Sequence, residues 1–157
     1  MTRRITFVGL AIFLAVPTLS LAQSELGTWK LNTAKSNYTG TAMPKSRTVT
    51  IEARGDAFMQ RTEGVAGDGT TVNYSYTAKY DGKNYPVTGA GTPNGGDMVA
   101  IKRIDANTAE LTWTKGGKVV NTARRSISKD GKIMTTTGKG TGPDGKPTSA
   151  STFYDKQ

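Results

Sequence analysis

The sequence predicts an all-β protein, an up-and-down antiparallel β-barrel of eight to ten strands, and three observations predict it. Seven glycine-containing pairs punctuate the chain: Gly55-Asp56, Asp68-Gly69, Asp81-Gly82, Gly95-Gly96, Gly116-Gly117, Asp130-Gly131 and Asp144-Gly145. Such pairs tolerate the backbone angles that tight hairpins demand. Between them apolar and polar residues alternate, the period of a half-buried strand. After residue 22 no stretch carries the apolar spacing of a helix over three turns. A β-sandwich is the alternative, because Greek-key crossovers leave no mark in sequence.

Residues 1–22 have the layout of a secretory signal peptide, with Arg3 and Arg4, an apolar run from Ile5 to Val16, and small residues Ser20 and Ala22 before Gln23. The run is shorter than the 20 or so residues that a bilayer core of about 30 Å requires. Cleavage after Ala22 is the expectation, leaving one domain, 23–157, in the periplasm or outside the cell. Removing residues 1–22 from the 157 leaves 135, and losing Arg3 and Arg4 lowers the net charge from +9 to +7. That length suffices for a single core without cross-links. No cysteine is present, so neither a disulfide nor a lipid-attachment thiol is available.

The elements follow in order. A short strand covers Leu26 to Leu31, and a turn of helix is expected between Thr33 and Tyr38. Arg47 to Ala53 turns Val49, Ile51 and Ala53 inward, and Ala57 to Glu63 returns beside it. The clearest strand is Thr71 to Asp81, where Val72, Tyr74, Tyr76, Ala78 and Tyr80 share one face and Asn73, Ser75, Thr77, Lys79 and Asp81 the other. Then come Asn84 to Thr88, Asp97 to Ile104, Ala109 to Lys115, Lys118 to Ser128, Lys132 to Thr141 and Thr148 to Asp155. Asn32 to Ser46 and Thr88 to Gly96 are the longest connections, suited to the rim of an open mouth. A sheet of this many strands has edges that invite aggregation, and closure removes them.

The residues Gly27-Thr28-Trp29-Lys30-Leu31 resemble the Gly-x-Trp signature that opens the lipocalins and the fatty-acid-binding proteins, together the calycins. The end, Thr152-Phe153-Tyr154-Asp155-Lys156-Gln157, resembles the closing strand of the fatty-acid-binding group. The resemblance implies a lipocalin-like barrel with Trp29 closing its floor and a late-strand arginine, Arg124 or Arg125, packed over the indole; Gly27, Trp29 and Arg125 form the implied structural motif. The chain departs from those families in several ways. Asn32 to Ser46 is too short for a two-helix lid, the last strand lacks the arginine of an Arg-x-Tyr carboxylate clamp, and neither a disulfide nor a C-terminal helix is present. The segments Lys30 to Ser36 and Ser128 to Lys132 also look similar to small secreted bacterial proteins of unassigned role.

The chemistry available is narrow. With no histidine and no cysteine, the common metal ligands, the Ser-His-Asp arrangement and every thiol nucleophile are missing. Asp56, Asp68, Asp81, Asp130 and Asp144 sit beside turn glycines, where aspartate ordinarily bonds its own backbone. Glu52, Glu63 and Glu110 lie within strands, positions suited to cross-strand pairing. No Asp-x-Asp pattern supplies a calcium loop. The expectation is a protein that is not an enzyme and takes no cofactor.

Aromatic residues carry the functional reading. Tyr74, Tyr76 and Tyr80, with Trp113, either fill a core or line a lumen, where they offer flat apolar surface and hydroxyls that orient a ligand. Arg103 and Arg124 lie in strands of mixed pattern, and an inward one would hold a carboxylate. The expected ligand-binding set is therefore Tyr74, Tyr76, Tyr80, Arg103, Trp113 and Arg124, and the expected function is lumenal binding of a small apolar or amphipathic molecule. An envelope interaction protein using the barrel as a scaffold is the alternative. The basic excess is scattered as single lysines at turns, which argues against a nucleic-acid partner.

Overall fold

The computed structural model describes residues 24–157; the expected signal peptide and its cleavage point lie outside the described residues. Twelve strands form one antiparallel sheet. They are β1 (Gly27–Leu31), β2 (Asn37–Thr39), β3 (Ser46–Arg54), β4 (Ala57–Val65), β5 (Thr71–Ala78), β6 (Asp81–Pro86), β7 (Thr88–Ala90), β8 (Met98–Arg103), β9 (Thr108–Lys115), β10 (Lys118–Ile127), β11 (Ile133–Thr141) and β12 (Pro147–Lys156). Around the wall the order is β6-β8-β9-β10-β11-β12-β1-β3-β4-β5-β7, with β2 set aside on β12.

Local turn chemistry makes most of these joins. Five of the seven sequence pairs, Gly55-Asp56, Asp68-Gly69, Gly116-Gly117, Asp130-Gly131 and Asp144-Gly145, connect strands that pair with each other. Gly116 and Gly117 have φ of 54° and 79°, the consecutive left-handed angles of a tight hairpin. The first and last strands meet: Trp29 of β1 stands opposite Lys156 of β12 on one side and Val49 of β3 on the other.

The second seam is built differently. Residues 81–90 are one stretch of chain that bends at Val87, whose N–H donates to the Asp97 carbonyl at 2.9 Å. Its first part, β6, pairs with β8, and its last part, β7, pairs with β5. Both ends of the wall are thus the same piece of chain, which nearly closes the barrel without a full ladder. The sandwich alternative is excluded by this single continuous order of strands.

Several details differ from the sequence expectations. The strand expected from Thr71 to Asp81 ends at Ala78, and Asp81-Gly82 lies inside β6 at a register irregularity instead of at a hairpin tip. The strand expected over Asn84 to Thr88 is divided between β6 and β7 by the bend. Gly95 ends a short 3-10 turn, Pro93–Gly95, between β7 and β8. Where a helical turn is expected between Thr33 and Tyr38, residues 33–35 form a single turn, with Ser36 N–H donating to the Thr33 carbonyl at 3.3 Å, and β2 follows, continuing the wall on β12 through Tyr38 opposite Ala150. Ala53, expected inward, is exposed near the β3–β4 hairpin, where the strands project past the core.

The inward alternation otherwise holds. Val72, Tyr74, Tyr76 and Ala78 of β5 are buried, together with Val49, Ile51, Val99, Ile101, Leu111, Trp113, Met134 and Tyr154. Trp29 is fully enclosed at one end. Among the described residues no helix is long and apolar enough to cross a membrane.

Candidate functional site

The barrel is hollow. A cavity of about 760 Å³ opens at the end opposite Trp29, within the range of roughly 300–1,000 Å³ typical of small-molecule sites. Its rim is formed by Gly40 to Ala42, Ala66 to Asp68, Gly91 to Gly95 and Gly142 to Asp144. The two long connections expected to flank a mouth therefore both reach it.

Two walls of unlike character face each other across the space. On one, Val49, Val72, Tyr74, Leu111 and Trp113 offer branched and aromatic surface. Tyr74 and Trp113 meet edge to face at 5.7 Å and 87°, and Tyr76 meets the same indole at 5.8 Å and 83°, so the rings brace one another. On the other, Ala123, Thr136, Gly138, Ala150 and Thr152 are small. Small side chains on β10, β11 and β12 are what leave the interior unfilled.

A buried polar network closes the floor. Arg125 is 4% exposed; its Nη1 donates to Glu25 Oε2 at 3.3 Å and its Nη2 to Gln60 Oε1 at 2.8 Å. Tyr76 donates to the same Gln60 oxygen at 2.7 Å, and Tyr80 to Glu25 Oε2 at 2.8 Å. Trp29 Nε1 donates to the Glu25 carbonyl at 2.8 Å, tying the indole to the network. Glu25 Oε1 and Arg125 Nε are enclosed without a protein partner. Burial raises the Tyr76 phenol well above its ordinary range, with Arg125 opposing, and burial together with the Glu25 carboxylate raises Tyr80 likewise. Both phenols stay protonated and act as donors. For Arg125, desolvation works against the charge, but Tyr76 and Glu25 outweigh it and the guanidinium is held ionised.

Nearer the mouth stands a second arginine. Arg47 lines the cavity beside Tyr154, Tyr74 and Tyr38. Its Nε is enclosed and meets no partner. Desolvation disfavours its charge, yet the three tyrosines and a bond with the Tyr154 hydroxyl leave its net shift upward. Burial pushes the Tyr154 phenol up to about 12 against the pull of Arg47, so an un-ionised hydroxyl sits beside a permanent cation. Tyr38 and Thr152 share a hydroxyl bond of 2.8 Å on the same side.

The residues expected to bind ligand are distributed over several places. Tyr74 and Trp113 line the cavity. Tyr76 lies beneath it, engaged with Gln60. Tyr80 is in the floor, stacked on Phe58 at 4.7 Å, with the Arg103 guanidinium 4.7 Å from the centre of its ring. Arg124 is exposed and stands opposite Glu110 of β9. Arg125, expected to pack on Trp29, lines the cavity and reaches the indole through Glu25; the cation lying over Trp29, at 5.0 Å, is Lys156. Gly27 begins β1, opposite Ile51. Sequence reasoning missed Arg47, Gln60 and Glu25. The alternation held a signal for two of them, since Arg47 precedes Val49 and Ile51 by even steps and Gln60 follows Phe58 on the buried face of β4. Glu25 lies before the first strand, where no periodicity applies.

The turn aspartates behave as their neighbours dictate. Asp68, at the rim, accepts from Thr70 N at 2.9 Å and Thr70 Oγ1 at 2.8 Å, and these bonds lower its carboxyl. Asp144, also at the rim, accepts from Lys146 N at 3.1 Å. Among the described residues no group of three or more acidic side chains is placed to hold a metal ion.

Comparison with known proteins supports the architecture. No protein-family model matches the chain, and no curated protein matches it. Among solved structures, EF1p2_mFAP2b bound to DFHBI superposes with a TM-score of 0.51 at 11% identity, covering 90% of this chain and 100% of that one. Zebrafish ileal bile acid-binding protein complexed with cholic acid superposes with a TM-score of 0.51 at 14% identity, covering 85% and 99%. At such identities the likeness is one of fold, a nearly closed antiparallel β-barrel.

Proposed function

From a calycin-like barrel with an open interior, we propose that this protein is an exported, non-catalytic binder of a small amphipathic molecule held in the lumen. The observation that carries the reading is the cavity of about 760 Å³, walled by Tyr74, Trp113 and aliphatic side chains and supplied with a few convergent polar groups at Arg47, Tyr154 and Arg125. That combination is the ordinary constitution of a ligand site: apolar area gives affinity, and sparse polar groups give orientation. The two similar barrels were each solved with a small molecule, DFHBI in one and cholic acid in the other, which supports the use of such an interior for binding.

Titration of the full chain with a fluorescent retinoid or fatty-acid analogue tests the proposal. Saturable binding is expected, with quenching of Trp113 and weakening on Trp113→Ala. Absence of binding across a panel of such molecules contradicts it. For export, sequencing the N-terminus of protein recovered from the cell envelope should read from Gln23.

A further inference from the structure

We infer that the ligand is a monoanionic acid whose carboxylate seats on Arg47, with Tyr154 as the accompanying hydroxyl donor and the apolar wall receiving its body. The inference rests on the lumenal binding proposed above and specifies its chemistry.

The argument is a charge count around the cavity. Four charged side chains line it: Arg47, Asp68, Arg125 and Asp144. Asp68 is satisfied by its own turn through Thr70, and Asp144 lies 3.7 Å from Lys146 at the exposed rim. Arg125 is matched by Glu25 in the floor. Arg47 alone is left without an acidic partner among the described residues: the groups around it are the hydroxyls of Tyr154, Tyr74 and Tyr38.

Its Nε is enclosed and unbonded. The side chain is half-buried among neutral neighbours with its Nε cut off from water, and a planar carboxylate answers its fork of donors directly. One unmatched cation calls for one negative charge. Because Arg47 shares its strand face with Val49 and its surroundings with Val72, Tyr74 and Trp113, the anion must be joined to an apolar body. The position is independent of the Arg-x-Tyr clamp that the last strand lacks: the arginine comes from β3 and the tyrosine from β12.

The test uses dansyl-undecanoic acid and its primary amide, two fluorescent molecules of the same shape that differ in the charge of the head group, titrated into the full chain. The acid is expected to bind about tenfold or more tightly than the amide. Arg47→Gln should bring the acid to the level of the amide and leave the amide unchanged, Arg47→Lys should retain a preference for the acid, and Arg61→Gln, on the outer surface, should alter neither. Equal binding of acid and amide by the unaltered protein overturns the inference while leaving lumenal binding intact. Failure of both to bind overturns the two together. A preference for the acid that survives Arg47→Gln overturns the assignment to Arg47. Should Arg47→Gln not fold, the acid and amide comparison on the unaltered protein, with Arg47→Lys, still decides.

Discussion

Arg125 and Glu25 show what a single buried residue costs when its partner is removed. Their side chains are 5% and 0% exposed, and each also serves a neutral neighbour, Gln60 for the arginine and Tyr80 for the glutamate. Arg125→Met therefore strands a carboxylate in the floor and should lower stability by roughly 3–5 kcal/mol. Glu25→Gln combined with Arg125→Met removes both charges and should recover most of that loss, because the desolvation of the pair disappears with it. Urea midpoints of the single and double variants check this; a single variant as stable as the parent would show that the network holds nothing together. Tyr154 gives a second residue-scale expectation. Its folded value of about 12 lies above the ordinary 10.0, so the fold favours the protonated phenol. The stability it contributes is complete below pH 10, declines as the unfolded chain ionises between pH 10 and about 12, and is gone above that, a loss on the order of 3 kcal/mol. Tyr76 and Tyr80 are displaced in the same direction and steepen the decline. Unfolding midpoints taken across alkaline pH should fall over that window, and less steeply in Tyr154→Phe; a flat profile contradicts the assignment. Such residues were only partly legible in sequence. Arg47 shares the even steps of Val49 and Ile51, but charge makes an inward position look like an outward one until the lumen is known to be open.

At the scale of the element, hairpins and seams differ in how far they can be read. The Gly116-Gly117 and Asp130-Gly131 turns are decided within four residues, and the strands they join are therefore visible in the chain. The division of residues 81–90 into β6 and β7 depends instead on two partners far apart in sequence, β8 and β5, and on a bend at Val87 that no local composition announces. Gly89 fixes the second of those pairings. Its φ is 104°, and a Cβ there would stand about 2.1 Å from the Asn73 carbonyl oxygen, too close for any rotamer to relieve. Gly89→Ala must separate β7 from β5, at a cost of roughly 1–3 kcal/mol. Gly116→Ala, at a left-handed φ of 54° but with open space around it, should cost about 1–2 kcal/mol, the penalty of the angle alone. Amide hydrogen exchange distinguishes the two: Gly89→Ala should speed exchange along β5 and β7 while β9 and β10 keep their protection, and Gly116→Ala should leave β5 unaffected. Equal effects of the two variants on β5 would mean that the seam does not depend on the close approach at Gly89. β2 was missed for the same reason as the seam, since three residues, Asn37–Thr39, acquire strand character only by meeting Ser149 to Ser151.

For the molecule as a whole, the fold was legible because closure follows from alternation, turn chemistry and the need to hide edges. Whether the closed wall encloses a solid core or a hollow was not, because both interiors present the same period to the sequence. The difference is carried by side-chain volume on one wall, where Ala123, Thr136 and Ala150 stand at positions that larger apolar residues would fill. A hollow interior sacrifices burial for space, and the two quantities can be exchanged by mutation. Ala123→Leu adds three carbons to a buried position facing the cavity, worth up to about 2 kcal/mol if they pack against Leu111 and Met134 without displacing them. It should therefore raise the unfolding midpoint while weakening uptake of a fluorescent amphipathic acid, and Ala123→Leu combined with Thr136→Leu should abolish uptake with stability kept or increased. The opposite sign on the two readouts is what identifies space as the selected property. If the filled barrel lost stability along with binding, the small residues would be serving the packing of the wall. If it bound as well as the parent, the ligand would occupy the rim at Gly91 to Gly95 and Gly142 to Asp144, and the barrel would be a scaffold for its loops.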